Sequence, residues 1–166
     1  MTRARQPGKP RRLLGLLIGL VLAAAVAPPI VTAAEREPVV TDRNTGLAIS
    51  GIDPVAYFTD KKPVFGRPEI ELNSGGAVWR FSNEGNRAAF ADHPEVYRPR
   101  FGGYDPVAIA RDRSVAGNPL VWAVVGERLY LFYSDETRGE FLADHDSILA
   151  RAVRKWPAVA RTASGG

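Results

Sequence analysis

One word is written twice in this chain: Gly-Ile-Asp-Pro-Val-Ala at residues 51–56 and Gly-Tyr-Asp-Pro-Val-Ala at residues 103–108, which puts Asp53 and Asp105 52 positions apart. Ala91-Asp92-His93 returns at the same spacing as Ala143-Asp144-His145. Between these words Trp79 matches Tyr130, Phe81 matches Phe132 and Phe90 matches Phe141 at a spacing of 51, so one inserted residue reconciles the two series. A period near fifty residues is short for a self-sufficient domain and suits a supersecondary unit that buries its apolar face against its own copy. Two related halves are therefore expected, at about 51–102 and 103–157.

Upstream of the repeat lies a different kind of segment. Arg3, Arg5, Lys9, Arg11 and Arg12 precede an apolar run over residues 13–27 and then Pro28-Pro29, with no acidic residue before Glu35. A basic start, a short apolar stretch and a small-residue cleavage site (Val31-Thr32-Ala33 or Thr32-Ala33-Ala34) predict an export signal over residues 1–34. The apolar run is shorter than the roughly 20 residues a spanning helix needs, so membrane contact is expected only through this segment if it is retained. The Arg11-Arg12 pair also leaves twin-arginine export open beside the general route. Losing five of the 22 Lys and Arg leaves 17 against 18 Asp and Glu, a net charge of −1. The basic balance of the whole chain thus belongs to the signal, and nucleic acid is not an expected partner. With no cysteine, thiol catalysis, thiolate metal sites and disulfides are excluded, and an exported domain must hold together by packing alone.

The local signals predict an α+β domain in which each half is a β-hairpin followed by a helix, the two packed as one small domain. Residues 35–50 lack periodicity and are expected to form an irregular lead-in, with the domain opening at Gly51. Short strands are expected at residues 64–65, 70–72 and 77–81, with a hairpin turn at Asn73-Ser74-Gly75-Gly76. Ser82 is placed to cap the helix that buries Phe90. In the second half, residues 121–125 and 128–133 are joined by Gly126-Glu127, which fits a type II′ turn, and Ser134 caps the helix carrying Phe141. Asp146 is expected to cap a last helix with Ile148, Ala152 and Trp156 in one row, stopped by Pro157 and followed by a frayed tail over 158–166.

Asp53-Pro54-Val55-Ala56, and the stretch from Trp79-Arg80-Phe81-Ser82-Asn83-Glu84 through Phe90, Pro94 and Tyr97, resemble the YHS domain, a small metal-associated module. The likeness extends to exported proteins carrying such a domain with an aromatic second half, and covers most of residues 51–157. It implies the YHS-like fold. It does not bring the family's thiolate metal site, because Ala56, Ser82, Gly85, Asn86 and Asp105 stand where relatives would have cysteines or in the same region, and none is a soft-metal ligand.

Three groups could carry chemistry. Asp53 and Asp105, if a pseudo-twofold brought them together, could hold a hard cation or act as an acid–base pair in a hydrolase; as single residues they are turn formers bonding nearby N–H groups. His93 and His145, with Asp92 and Asp144, offer imidazole and carboxylate ligands for zinc, copper or nickel, or simply complement helix ends. Arg98, Arg100, Arg111 and Arg113 flank Gly102-Gly103-Tyr104, where guanidinium forks and backbone N–H groups could hold a small carboxylate or phosphate. The expected function is that of an exported, periplasmic or extracellular, non-enzymatic binding or interaction module without cofactor. Its partner is a small ligand or an envelope protein, with ligand contacts at Asp53, Tyr57, Tyr104, Asp105, Arg100 and Arg111 in a cleft between the halves. A metal-binding protein or metallochaperone using the histidines and aspartates is the alternative.

Overall fold

The computed structural model describes Met1 and residues 37–164, so the predicted export signal lies almost wholly outside the described residues. Among those residues the fold is α+β, with two antiparallel two-stranded sheets and the order hairpin then helix run twice. The first half has a 3-10 turn at Ile49–Gly51, a helical turn α1 (Ala56–Thr59), β1 (Arg67–Ser74), β2 (Ala77–Phe81), α2 (Glu84–Asp92) and α3 (Pro94–Tyr97). The second repeats it with a 3-10 turn at Arg100–Gly103, α4 (Pro106–Ile109), β3 (Asn118–Val125), β4 (Arg128–Phe132), α5 (Asp135–Ala143) and α6 (His145–Ser164). No helix among the described residues is long and apolar enough to cross a membrane.

The correspondence extends to the backbone. Both hairpins break register at matching places, between Arg67 and Glu71 and between Asn118 and Trp122. Both close on two residues of positive φ: Gly75 (64°) and Gly76 (84°) in the first, Gly126 (56°) and Glu127 (57°) in the second. Two positive φ values make type I′ turns, which match the right-handed strand twist, so the type II′ turn expected at Gly126-Glu127 is corrected. Helix starts differ in detail. Asn83, not Ser82, caps α2 by accepting from Asn86 N–H, because the Ser82 side chain is used elsewhere; Ser134 caps α5 as expected, in a capping box with Thr137.

The core has two compartments that share one strand. Trp79 and Phe81 of β2, Phe90 of α2, Ile49, Ile52, Val55 and Tyr57 form one, into which β4 sends Leu129 and Leu131. Tyr130 and Phe132, on the other face of β4, join Phe101, Val107, Ile109, Phe141, Ile148, Ala152 and Val159 in the other. The period-two alternation of a strand thus lets β4 serve both. The matching face of β2 carries Val78 and Arg80, both half-buried, with Arg80 ion-paired to Glu71 at 2.7 Å. The second hairpin therefore lays its back on the first half, while the first hairpin turns its own back outward. This is head-to-tail packing, not a reciprocal twofold.

Two boundaries are corrected for the same reason. In the first half the surface around Ile49, Ile52 and Tyr57 is covered by the second hairpin; in the second half α6 covers the equivalent surface. Trp156 packs against Phe101 and Tyr104 with ring centres 5.6 and 5.7 Å away, and Val159 is buried. The helix accordingly runs through Pro157 to Ser164, where a stop at Pro157 and a frayed tail were expected. At the other end, residues 37–50 belong to the domain. Ala48 N–H donates to Val78 O (2.8 Å) and Val78 N–H to Gly46 O (3.1 Å), Val40 N–H reaches Gly102 O (2.8 Å), and Ala48 and Ile49 are core residues, so the domain opens before Gly51.

Candidate functional site

The repeated word builds a corner in each half. Asp53 Oδ1 accepts from Val55 N–H (2.9 Å), while Oδ2 accepts from Ser82 N–H (2.8 Å), Ser82 Oγ (2.7 Å) and Asn86 Nδ2 (2.7 Å). Asp105 Oδ1 accepts from Val107 N–H (2.8 Å) and Ala108 N–H (3.3 Å), and Oδ2 from Tyr133 N–H (2.8 Å) and Thr137 Oγ1 (2.7 Å). The backbone N–H of each donates across its own loop, to Val64 O and Val115 O. Both carboxylates have 0% exposure. Each thus ties the Asp-Pro corner to the start of the helix after its own hairpin, with every one of these bonds inside one half. The shared carboxylate site considered from the sequence is not formed, and neither aspartate offers an accessible ligand contact.

Around Tyr57 the junction between the halves is packed, not open. Tyr57, with 0% exposure, donates its hydroxyl to Pro119 O (2.7 Å) and meets the Trp122 ring edge-on at 5.2 Å. Burial pushes its hydroxyl pKa well up, and the Asp53 carboxylate adds to the rise. Tyr57 is therefore a clasp between the halves, which corrects its assignment to a ligand cleft.

The remaining candidates are dispersed. Arg111 pairs with Glu140 at 2.6 Å, and the Arg100 guanidinium lies 5.4 Å from the Phe101 ring centre. The Gly102-Gly103 bend is occupied by the lead-in: a Cβ at Gly102, where φ is 60°, would stand 1.8 Å from Pro38 O. A side chain at Gly102 would therefore collide with the lead-in backbone. His93 and His145 are not equivalent. His93 caps the end of α2 with φ −135° and ψ 56°, and the residue in that conformation after α5 is Asp144, at φ −147° and ψ 53°. The repeated Ala-Asp-His is thus out of structural register by one residue. His93 faces Glu95 at 3.6 Å and His145 faces Asp146 at 3.2 Å, while Asp92 and Asp144 are exposed. Among the described residues no three His, Cys, Asp or Glu side chains gather as a metal site.

Among the predicted ligand residues, Tyr104 borders a sizeable concavity. A groove of about 750 Å³ is walled by the lead-in from Glu37 to Thr41 with Arg43, the first hairpin tip Gly75-Gly76, Tyr104 with Ser114 and Ala116, and Thr162-Ala163 of α6. Burial raises the Tyr104 hydroxyl pKa, while a hydrogen bond with Ser114 and the charge of Arg43 oppose the rise. A second chamber of about 120 Å³ is lined by Glu37, Val39, Gly75, Trp79, Arg98, Pro99 and Gly102, three of which also wall the groove. Sequence reasoning missed Glu37, Arg43 and Ser114 because they come from segments without periodicity; Arg98 stood among the flanking arginines without a mark to single it out. No protein-family model, curated protein or solved structure matches this chain, so the resemblance to the YHS domain gains no support there.

Proposed function

We propose that this chain is an exported, non-enzymatic binding module of the cell envelope, YHS-like in type, which takes a small ligand in the groove between the lead-in, the first hairpin tip and the end of α6. The observation that carries this reading is the groove itself: about 750 Å³, within the size range of small-molecule sites, with Tyr104, Ser114 and Arg43 as polar groups on its wall. Export rests on the layout of residues 1–34. The YHS-like assignment rests on the aromatic strand Trp79-Arg80-Phe81 running into the capped helix that buries Phe90. The non-enzymatic reading is supported by what the titratable candidates do: both aspartates are consumed by the architecture and both histidines sit beside single carboxylates.

Native mass spectrometry of the protein isolated from its own compartment tests the reading, with wild type beside Ser114→Trp. A small molecule retained by wild type and lost from the variant is expected. Wild-type protein that carries none, and whose Tyr104 and Ser114 amide resonances stay fixed through a metabolite screen at millimolar concentration, would remove the groove as a ligand site.

A further inference from the structure

Four of the thirteen arginines among the described residues are answered by acids: Arg80 by Glu71, Arg87 by Glu84, Arg111 by Glu140 and Arg138 by Asp135. Arg98 has no ion pair among the described residues. Its guanidinium carbon lies 5.9 Å from the Trp79 ring centre and 5.8 Å from that of Phe90, and Nη2 donates to Ser74 Oγ at 2.5 Å. Nε is buried and has no hydrogen-bond partner. The hairpin tip makes room for the fork, since a Cβ at Gly75 would stand 3.0 Å from both Nη atoms. A half-buried cation without an ion pair is costly, and a guanidinium fork matches the paired oxygens of an oxyanion.

We infer that Arg98 anchors an anion subsite in the small chamber beside the groove and takes the carboxylate of a small ligand whose remainder lies in the groove. This rests on the groove being the ligand site. The chamber's volume of about 120 Å³ leaves room for a carboxylate. Glu37, Val39 and Gly75 border both spaces, so one ligand can span them. Glu37 sets the selectivity. Its Oε1 accepts from Trp156 Nε1 at 2.7 Å, which fixes the carboxylate on the shared wall, where it penalises a dianion more than a monoanion.

Acetate and inorganic phosphate, titrated into the isotopically labelled full chain, provide the test, read at the Arg98 Nε–H and Trp79 indole N–H resonances. Acetate is expected to move both saturably in the millimolar range and to bind more tightly than phosphate near neutral pH. Arg98→Met abolishes the shift of the indole, and Arg98→Lys restores part of it. Glu37→Gln, which leaves the rings beneath Arg98 untouched, tightens acetate binding about three- to tenfold. An Arg98 resonance unmoved by acetate, tighter binding of phosphate, or a Glu37→Gln variant that binds acetate no better would each overturn the inference. If metabolites shift Tyr104 and Ser114 while acetate leaves Arg98 unmoved, the anion subsite fails and the groove stands; if neither responds, both fail.

Discussion

A double-mutant cycle on Asp53 and Asp105 separates a duplicated corner from a carboxylate pair. Replacing Asp53 by Asn turns one acceptor oxygen into a donor. The Ser82 hydroxyl and Asn86 amide can reorient to accept, but the N–H groups of Val55 (2.9 Å) and Ser82 (2.8 Å) cannot, so one buried N–H is orphaned whichever way the new amide turns. Asp105→Asn meets the same fork between the N–H groups of Val107 (2.8 Å) and Tyr133 (2.8 Å), with the Thr137 hydroxyl free to turn. An orphaned buried donor costs about 1–3 kcal/mol, and converting the surviving charge-assisted bonds to neutral ones adds about 1 kcal/mol or more. Each substitution is therefore expected to cost about 2–4 kcal/mol, a large share of the roughly 5–15 kcal/mol that holds a domain together. Because these bonds stay within one half, the two costs add within about 0.5 kcal/mol. Urea denaturation of the four proteins, followed by tryptophan fluorescence, measures the cycle. A coupling above about 1 kcal/mol, or an Asp105→Asn protein of undiminished stability, would refute the corner assignment.

Three other outcomes follow from the packing. Leu129→Ala should cost about 2–5 kcal/mol in denaturant titration, whereas the matching Val78→Ala on the half-buried back of the first hairpin should cost about 1 kcal/mol or less; equal costs would contradict the head-to-tail order. Glu127→Gly relieves a side chain held at φ 57° and should stabilise by about 0.5–1 kcal/mol, read as a rise in the denaturation midpoint. Val159→Ala, beyond Pro157, should cost about 1.5–3 kcal/mol in the same titration; no loss would mean that the last turns of α6 do not cover the second core.

The repeat, the hairpins and the aromatic positions were legible because period and turn chemistry are local. Trp79, Phe81 and Phe90 and their counterparts Tyr130, Phe132 and Phe141 are buried as the duplicated spacing implied. How the copies meet was not legible, since matching words do not say whether the faces join back to back or in series. That one unknown accounts for the misplaced ligand cleft at Tyr57 and for the helix that outruns Pro157. The histidine equivalence failed differently. Ala-Asp-His repeats at 52 whereas the elements around it repeat at 51, so a three-residue identity outweighed the longer register set by Trp79, Phe81 and Phe90. The groove was invisible because its walls come from the lead-in, a hairpin tip and a helix end, which share no pattern.

Two repeats stacked in series have unlike ends, and a chain built this way is in principle open to growth. A third copy would set the back of its hairpin against the surface that α6 now occupies, and the back of the first hairpin would accept a preceding copy but for Arg80 and Glu71. Both ends are closed, one by a helix held past a proline and the other by a charged pair on the outer face of a strand. Among the described residues these two devices separate a pair of packed copies from an open stack, and they mark where a truncation or a change of charge would expose a stacking face.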